Sequence, residues 1–515
     1  MAKRAVVIGT GAGGLTATAA LARAGFEVVA LERAKQLGGF LNPFARRHYH
    51  FDPGVHYVGQ AAPGEGLHRV LRRVGLDAQA LFCPMDPDGF DVLRFPDFEL
   101  RIPVGLDRFR DRIVSLFPAD QREIDAFVAK LASLHALING HGRDLARLRG
   151  LPIAALWYTR TFGELLAQSF TNPKVRAVFA AQCGDYGLPP SKAPAILGVA
   201  VFLHFIDGSY FPRGGSGSLR DALVDEGRAH GAVYRRRAEV TRILTHGRRV
   251  TGVLLSDGER LDADVVVSAV DPKLTYGRFL PSSVLPSGMR RKVQKTLPSV
   301  GSICLFLGLE RDLRQHGMGA FNVWDYPTWD IEQAFGPALE GRLPDDYAFF
   351  LSPNSLKDDT GEMAPAGCST LEVVTLAPFA PFAAWADSKS MKRPEEYETF
   401  KEQVGDQLLA AVERRWPGLV GDVAVKDVST PVTNIHFAGA VDGAIYGPAA
   451  VPEQFALRAF KPKGPLEGLY HAGAGVMGPG VVPCLASGVV AANLAIAEQR
   501  ERRLAWLPRP RLAAS

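Results

Sequence analysis

Cysteine is scarce and scattered: the 515-residue chain has 5, at Cys83, Cys183, Cys304, Cys368 and Cys484, with no CxxC pair. That pattern argues against a disulfide framework or a metal knot and points to a reducing compartment. Long hydrophobic runs are missing as well. The longest, Ala193 to Ile206, covers about 14 residues and includes His204, short of the roughly 18–20 that span a bilayer. It reads as a buried helix, or as one that lines an apolar tunnel or dips into one leaflet. Charge of one sign is not concentrated. The formal net charge is +5, and the basic runs Arg235-Arg236-Arg237 and Arg248-Arg249 lack the interleaved aromatics of a single-strand binder, so no nucleic-acid partner is expected. After Met1-Ala2-Lys3-Arg4 the apolar stretch Ala5 to Ile8 is too short for a signal-peptide core, and a cytoplasmic protein is expected. No metal-ligand or Ser-His-Asp spacing stands out, and no metal is expected.

What is present is an ordinary globular composition, 47% hydrophobic and 22% charged, in a chain long enough for more than one domain. The N-terminus carries the sharpest signal. Arg4 to Ile8 (RAVVI) reads as a short buried strand, and Gly9-Thr-Gly11-Ala12-Gly13-Gly14 then opens a helix of small residues. A second strand, Glu27 to Leu31, ends on Glu32, about 20 residues beyond the glycines, where an acid meets a ribose hydroxyl. Gly9 permits the tight turn, Gly11 lets the backbone approach a pyrophosphate, and Gly14 allows close packing of helix on strand. The phosphates then rest on a helix N-terminus. These parts in this order predict an α/β dinucleotide-binding unit of the Rossmann type.

The residues that follow resemble one use of that unit. Glu32-Arg33, then Gly38-Gly39-Phe40, then Phe51-Asp52-Pro53-Gly54-Val55-His56-Tyr57 are similar to the two-domain flavoprotein family of amine oxidases and carotenoid desaturases. The resemblance implies FAD, with the segment around His56 running beside the isoalloxazine and Val240 meeting the adenine through its backbone. It also implies a discontinuous FAD domain, 1–75, 208–290 and 462–500, with a substrate domain interleaved at 76–207 and 291–461. Residues 501–515 are then a basic tail.

Further along, 105–149 has helical periodicity. The stretch 240–270 alternates like strands, with a hairpin signal at Asp257-Gly258, and reads as a meander returning to the nucleotide unit. Near the end, Gly473-Ala-Gly475-Val-Met-Gly478 is a second GxGxxG, but no strand ending in an acid follows it. It reads as the last strand and turn of the FAD domain. Gly475, Gly480 and Val481 then border the flavin, and the following helix directs its positive end at the pyrimidine.

More specific is a resemblance to the retinol saturase branch of the carotenoid desaturase and isomerase family. It rests on Phe51 to Gly59, on Gly184-Asp-Tyr-Gly-Leu-Pro-Pro-Ser191 and Gly208-Ser-Tyr-Phe-Pro-Arg-Gly-Gly215, and on Ser429-Thr-Pro-Val-Thr-Asn434 with Gly443-Ala-Ile-Tyr-Gly447. The turn Gly473 to Gly480 departs toward the bacterial desaturases. The implied activity is FAD-dependent redox chemistry on C=C bonds of a conjugated polyene, with desaturation, isomerisation or a non-catalytic lipid escort as alternatives. The implied partners are an apolar substrate and an electron donor or acceptor. His56 and Tyr57 are the candidate catalytic residues. Asp52 reads as a backbone-capping carboxylate, and His204, Tyr446 and His471 are weaker candidates. A tail in which Trp506 and Leu507 lie among Arg502, Arg503, Arg509 and Arg511 suggests peripheral contact with a membrane.

Overall fold

The computed structural model describes residues 3–139, 145–390 and 392–505. Runs of Val, Ile and Leu form the inner strands Arg4–Ile8 and Val265–Ser268, buried on both faces as parallel sheets require, and the edge strand Val233–Arg236 is more exposed. They assemble a 5-stranded sheet in the spatial order Val233–Arg236, Glu27–Glu32, Arg4–Ile8, Val265–Ser268, Leu469–His471, with every pairing parallel. Helices Ala12–Arg23 and Val481–Ala505 cover one face, packing Ala17, Leu21, Ala491 and Ala495 against Val7 and Val267. The antiparallel meander Val240–His246, Arg249–Leu255, Arg260–Asp262 supplies Val240, Ile243 and Val253 to the other.

Two glycines determine how the first turn works. Gly9 has φ +87°, a left-handed backbone that favours glycine, and a Cβ on Gly14 would collide with the Gly9 carbonyl oxygen. Gly11 differs: a Cβ there would meet nothing within 4 Å. Its surroundings are open because it faces a cavity.

The second body contains a 7-stranded sheet, for whose strands the sequence reading gave no expectation. Its order is Val423–Ser429, Gly301–Leu309, Ser369–Ala377, Phe349–Ser352, Asn322–Asp325, Asp91–Phe95, Phe98–Ile102, antiparallel except where Asn322–Asp325 meets Asp91–Phe95. Because side chains alternate along a strand, Ile303, Leu305, Leu307 and Leu309 pack against Val404, Leu408 and Val412 of helix Glu395–Arg415, while Ser302 and Cys304 line the cavity. The same alternation sends Leu351 and Val373 to the helix and Phe350 and Val374 to the cavity. This sheet is the cavity floor. Its roof is helical and aromatic: Leu106–Leu116, Gln121–Asn139 and Ala195–Ile206 pack through Phe109, Phe127 and Phe202. Helix Ala195–Ile206 is a core helix, and its Leu197, Val201, His204 and Phe205 line the cavity.

The two glycines predict opposite failures. Gly14→Val forces a side chain against backbone and should cost about 1–3 kcal/mol or more of stability, read as a lower urea midpoint. Gly11→Val should leave that midpoint nearly unchanged and yield a colourless protein, because its side chain occupies only the cofactor's space. A yellow Gly11→Val protein would contradict this reading of the turn.

Candidate active site

A single cavity of about 990 Å³ runs from the glycine turn to the floor of the second body, at the upper end of the roughly 300–1,000 Å³ typical of small-molecule sites. Every residue the sequence placed on the cofactor lines it except Gly14, which is spent on packing: Gly9, Gly11, Ala12, Gly13, Glu32, Arg33, Gly39, Phe40, Val240, Gly475, Gly480 and Val481. Helix Ala12–Arg23 begins at Gly11 with no side-chain cap, so its first-turn N–H groups are open to an anion. This uncapped helix end beside a Cβ-free Gly11 fits a pyrophosphate.

Glu32 sits at the end of its strand and already accepts from the Thr10 amide (3.1 Å) and hydroxyl (2.7 Å) through Oε2 and from the Ala34 amide (2.9 Å) through Oε1. A carboxylate has about four lone-pair positions, which leaves one for a ribose hydroxyl. Arg33 turns partly away, donating to the carbonyls of Ile435 (2.7 Å) and His436 (2.9 Å).

At the other end the segment after Phe51 crosses the floor. Asp52 accepts from the Ser216 amide (2.9 Å) and hydroxyl through Oδ1 and so caps the helix Ser216–Ala229. Its own amide donates to Glu372 Oε1 at 2.7 Å. His56 Nδ1 lies 3.0 Å from Glu372 Oε2. Tyr57 stacks on Phe205 with centroids 4.1 Å apart, and its hydroxyl lies between two carboxyls, 2.7 Å from Asp185 Oδ2 and 3.1 Å from Asp91 Oδ2. His204 accepts from the Gly59 amide through Nε2 (2.9 Å), His471 contacts the Val270 carbonyl, and burial lowers both imidazoles to about 4. Tyr446 donates to the Gly184 carbonyl at 2.8 Å.

Sequence reasoning missed what lies under this segment. Lys357 is buried, and its Nζ donates to the His56 carbonyl (2.6 Å), Asn322 Oδ1 (2.8 Å) and Ser352 Oγ (2.6 Å). Three acceptors match the three hydrogens of an ammonium. Burial drags its pKa down to about 7, against the upward pull of Glu372, Asp91 and Asp52. Asn322 passes the contact on, donating to Asp91 Oδ1 at 3.0 Å. Burial raises Asp91 to about 6, opposed by its donors Asn322, Gln182, Tyr57 and Trp324, and raises Asp52 to about 7, helped by the charge of Glu372. One signal was visible: Glu372 is the lone charge in the strand Ser369–Ala377, STLEVVTLA. Lys357, in a stretch reading SLKDDT, gives no such hint.

A parallel nucleotide sheet, an open glycine turn and one cavity shared with a second body define a two-domain dinucleotide-binding oxidoreductase. The chain belongs to the flavin-containing amine oxidoreductases, whose family model matches residues 12–496, and FAD is its cofactor. It is similar to the all-trans-retinol 13,14-reductase of Danio rerio, 26% identical over 475 residues, which cover 86% of this chain and 77% of that protein. It is also similar to the zeta-carotene-forming phytoene desaturase of Myxococcus xanthus, 28% identical over 392 residues, covering 73% and 72%. Among solved structures, an oxidoreductase from Methanosarcina mazei shares the fold, with TM-score 0.64, 16% identity and coverage of 95% of this chain and 100% of that one.

Lys357→Met removes the donor shared by the His56 carbonyl, Asn322 and Ser352, and a buried polar group left unsatisfied costs about 1–3 kcal/mol. Urea unfolding at neutral pH should show a loss of that size. A loss below about 1 kcal/mol, the scale of an exposed ion pair, would mean that Lys357 does not hold the site together.

Proposed function

We propose that the chain adds hydrogen across one C=C bond of a conjugated, apolar polyene of the retinoid or carotenoid type. The observation that carries this reading is the apolar arm of the cavity, bounded by Leu197, Val201, Phe205, Phe335, Phe350 and Val374 and continuous with the glycine turn. A long hydrocarbon is the ligand such walls accept. The names of the relatives, a retinol reductase and a phytoene desaturase, support the same substrate class. FAD, when bound, supplies or takes up a hydride. On this reading Gly9 to Gly14, Glu32, Arg33, Gly39, Phe40, Val240, Gly475, Gly480 and Val481 hold the cofactor, and the cofactor domain comprises 1–75, 208–290 and 462–500. His56 and Tyr57 border the reacting chain, and the substrate domain excludes water from it.

The deciding experiment is anaerobic incubation of retinoids and carotenoids with enzyme carrying reduced or oxidised FAD, followed by mass spectrometry. Saturation adds two hydrogens with reduced cofactor. Loss of two hydrogens with oxidised cofactor would make the enzyme a desaturase, an altered retention time at unchanged mass an isomerase, and no change with any polyene would return the fold to a lipid escort.

An insoluble substrate also favours contact with a membrane. Near the cavity residues Phe455 and Met477, Leu457 is 75% and Leu297 58% exposed, while Lys461 and Lys292 donate to the carbonyls of Leu457 and Ala459. Exposed leucines beside lysines suit an anionic leaflet, each cation contributing about 1 kcal/mol. The tail residues Trp506 and Leu507 lie outside the described residues. The protein should float with anionic liposomes at low salt, less so at high salt and less again as Leu457→Glu. Protein that stays at the bottom of the low-salt gradient would eliminate membrane docking.

A further inference from the structure

The cavity wall carries a carboxyl with an unusual set of neighbours. Asp185 lines the cavity, and the Tyr57 hydroxyl is its one hydrogen-bond partner among the described residues. Tyr57 has a single hydrogen to donate but faces Asp185 Oδ2 at 2.7 Å and Asp91 Oδ2 at 3.1 Å. Asp91 also accepts from Gln182 Nε2 (2.8 Å), Asn322 Nδ2 (3.0 Å) and Trp324 Nε1 (3.2 Å), a donor set that suits an ionised carboxylate. If Asp185 were ionised too, one carboxylate would face the tyrosine oxygen without a proton between them. A second proton resolves the geometry: Asp185 O–H donates to Tyr57, and Tyr57 donates to Asp91.

We propose that Asp185 is the acid that delivers a proton to the bound polyene, with Tyr57 as the positioning residue that stabilises the carboxylate left behind. This deepens the saturation reading and rests on it. Addition of hydrogen across C=C consumes one proton and one hydride. The Asp185 O–H turns from Tyr57 to the substrate, whose π pair forms a C–H bond with its proton while the O–H pair stays on Asp185; reduced FAD, when bound, would supply the hydride that neutralises the cation left on the conjugated chain. Tyr57 then turns its hydrogen from Asp91 to Asp185. When product leaves, water entering the cavity restores the proton.

The surroundings hold Asp185 ready for this. Burial, and secondarily the charge of Asp91, raise its carboxyl well above the usual range, while the Tyr57 hydrogen bond works in the opposite direction. The other titratable groups near it, Cys183, Tyr186, Tyr326 and Tyr446, are kept neutral because burial pushes each of them upward. Its position is fixed from behind. Tyr446 and Tyr326 donate to the carbonyls of Gly184 and Ala181, and a Cβ on Gly184 would meet the Trp324 ring at 2.4 Å.

Infrared difference spectra of the holoenzyme at neutral pH test the proton directly. Wild type should show a protonated-carboxyl C=O band that shifts in D₂O, is absent from Asp185→Asn and persists in Asp91→Asn and in Asp52→Asn, the second of which removes the band of the other carboxyl raised to about 7. Asp185→Asn should retain its flavin and lose about 100- to 10,000-fold in kcat. In wild type, turnover should fall as pH rises through the Asp185 pKa. Tyr57→Phe removes the donor to the ionised form, so this alkaline limb should move to higher pH as kcat drops about 10- to 100-fold; it also carries the test if Asp185→Asn does not fold. An Asp185→Asn spectrum from which no C=O band has been lost, or an Asp185→Asn variant with wild-type kcat and pH profile, overturns the assignment. Failure of every polyene to react would sink the substrate reading separately, because the infrared band needs no substrate.

Discussion

Everything at the reacting end of the cavity depends on how one buried cation is shared. Lys357 reaches the backbone of the segment that continues from the cofactor domain, at His56, and two side chains of the floor, Asn322 and Ser352. A hydrophobic contact there would tolerate sliding, whereas an ammonium in a medium of low dielectric has to keep all three acceptors or bear the full cost of desolvation. The two bodies are therefore registered by charge at this point. Because His56 and Tyr57 are adjacent in the chain, the same anchor sets where the Tyr57 hydroxyl falls between Asp91 and Asp185.

That arrangement explains how an apolar pocket comes to have acids beneath it. Asp91 and Glu372 lie in the strands Asp91–Phe95 and Ser369–Ala377, Asp52 follows the strand Tyr49–Phe51, and all three are buried. Each is tolerable because donors from neighbouring strands or caps meet it, and the cost appears as raised carboxyl pKa values at Asp52 and Asp91 around a lysine lowered to about 7. A site in this condition changes the charge of one member with little penalty.

The cofactor half was legible in the sequence because its constraints are local. Gly9 needs a positive φ, Gly14 needs the absence of a Cβ, and Glu32 ends a strand; each is a statement about neighbouring residues. The meander and the last strand could also be read, since hydrophobic runs and a glycine turn mark them. The large sheet could not, because its strands pair Gly301–Leu309 with Val423–Ser429 and Asn322–Asp325 with Asp91–Phe95, partners far apart in the chain that no local periodicity connects. For the same reason Lys357 and Asp91 looked like ordinary loop and strand residues. Asp185 stood within a stretch chosen for its resemblance, but its environment is assembled from Tyr57, Asp91 and Tyr446, which only folding brings together.

The order of the parallel sheet bears on how the chain comes to be synthesised and loaded. Its fifth strand, Leu469–His471, lies beside Val265–Ser268, and the turn after it brings the Gly473 amide 2.8 Å from where a Cβ of Gly13 would stand. Residues about Gly13 and about Gly473, far apart in the chain, thus build one wall of the cradle. Until about residue 490 has emerged, the N-terminal turn has no neighbour on that side and the helix Ala12–Arg23 lacks its partner Val481–Ala505. Contacts of such long sequence separation form slowly, so the glycine turn and its helix wait with an apolar face uncovered until the distant helix has been made. Cofactor capture consequently follows the synthesis of that distant segment.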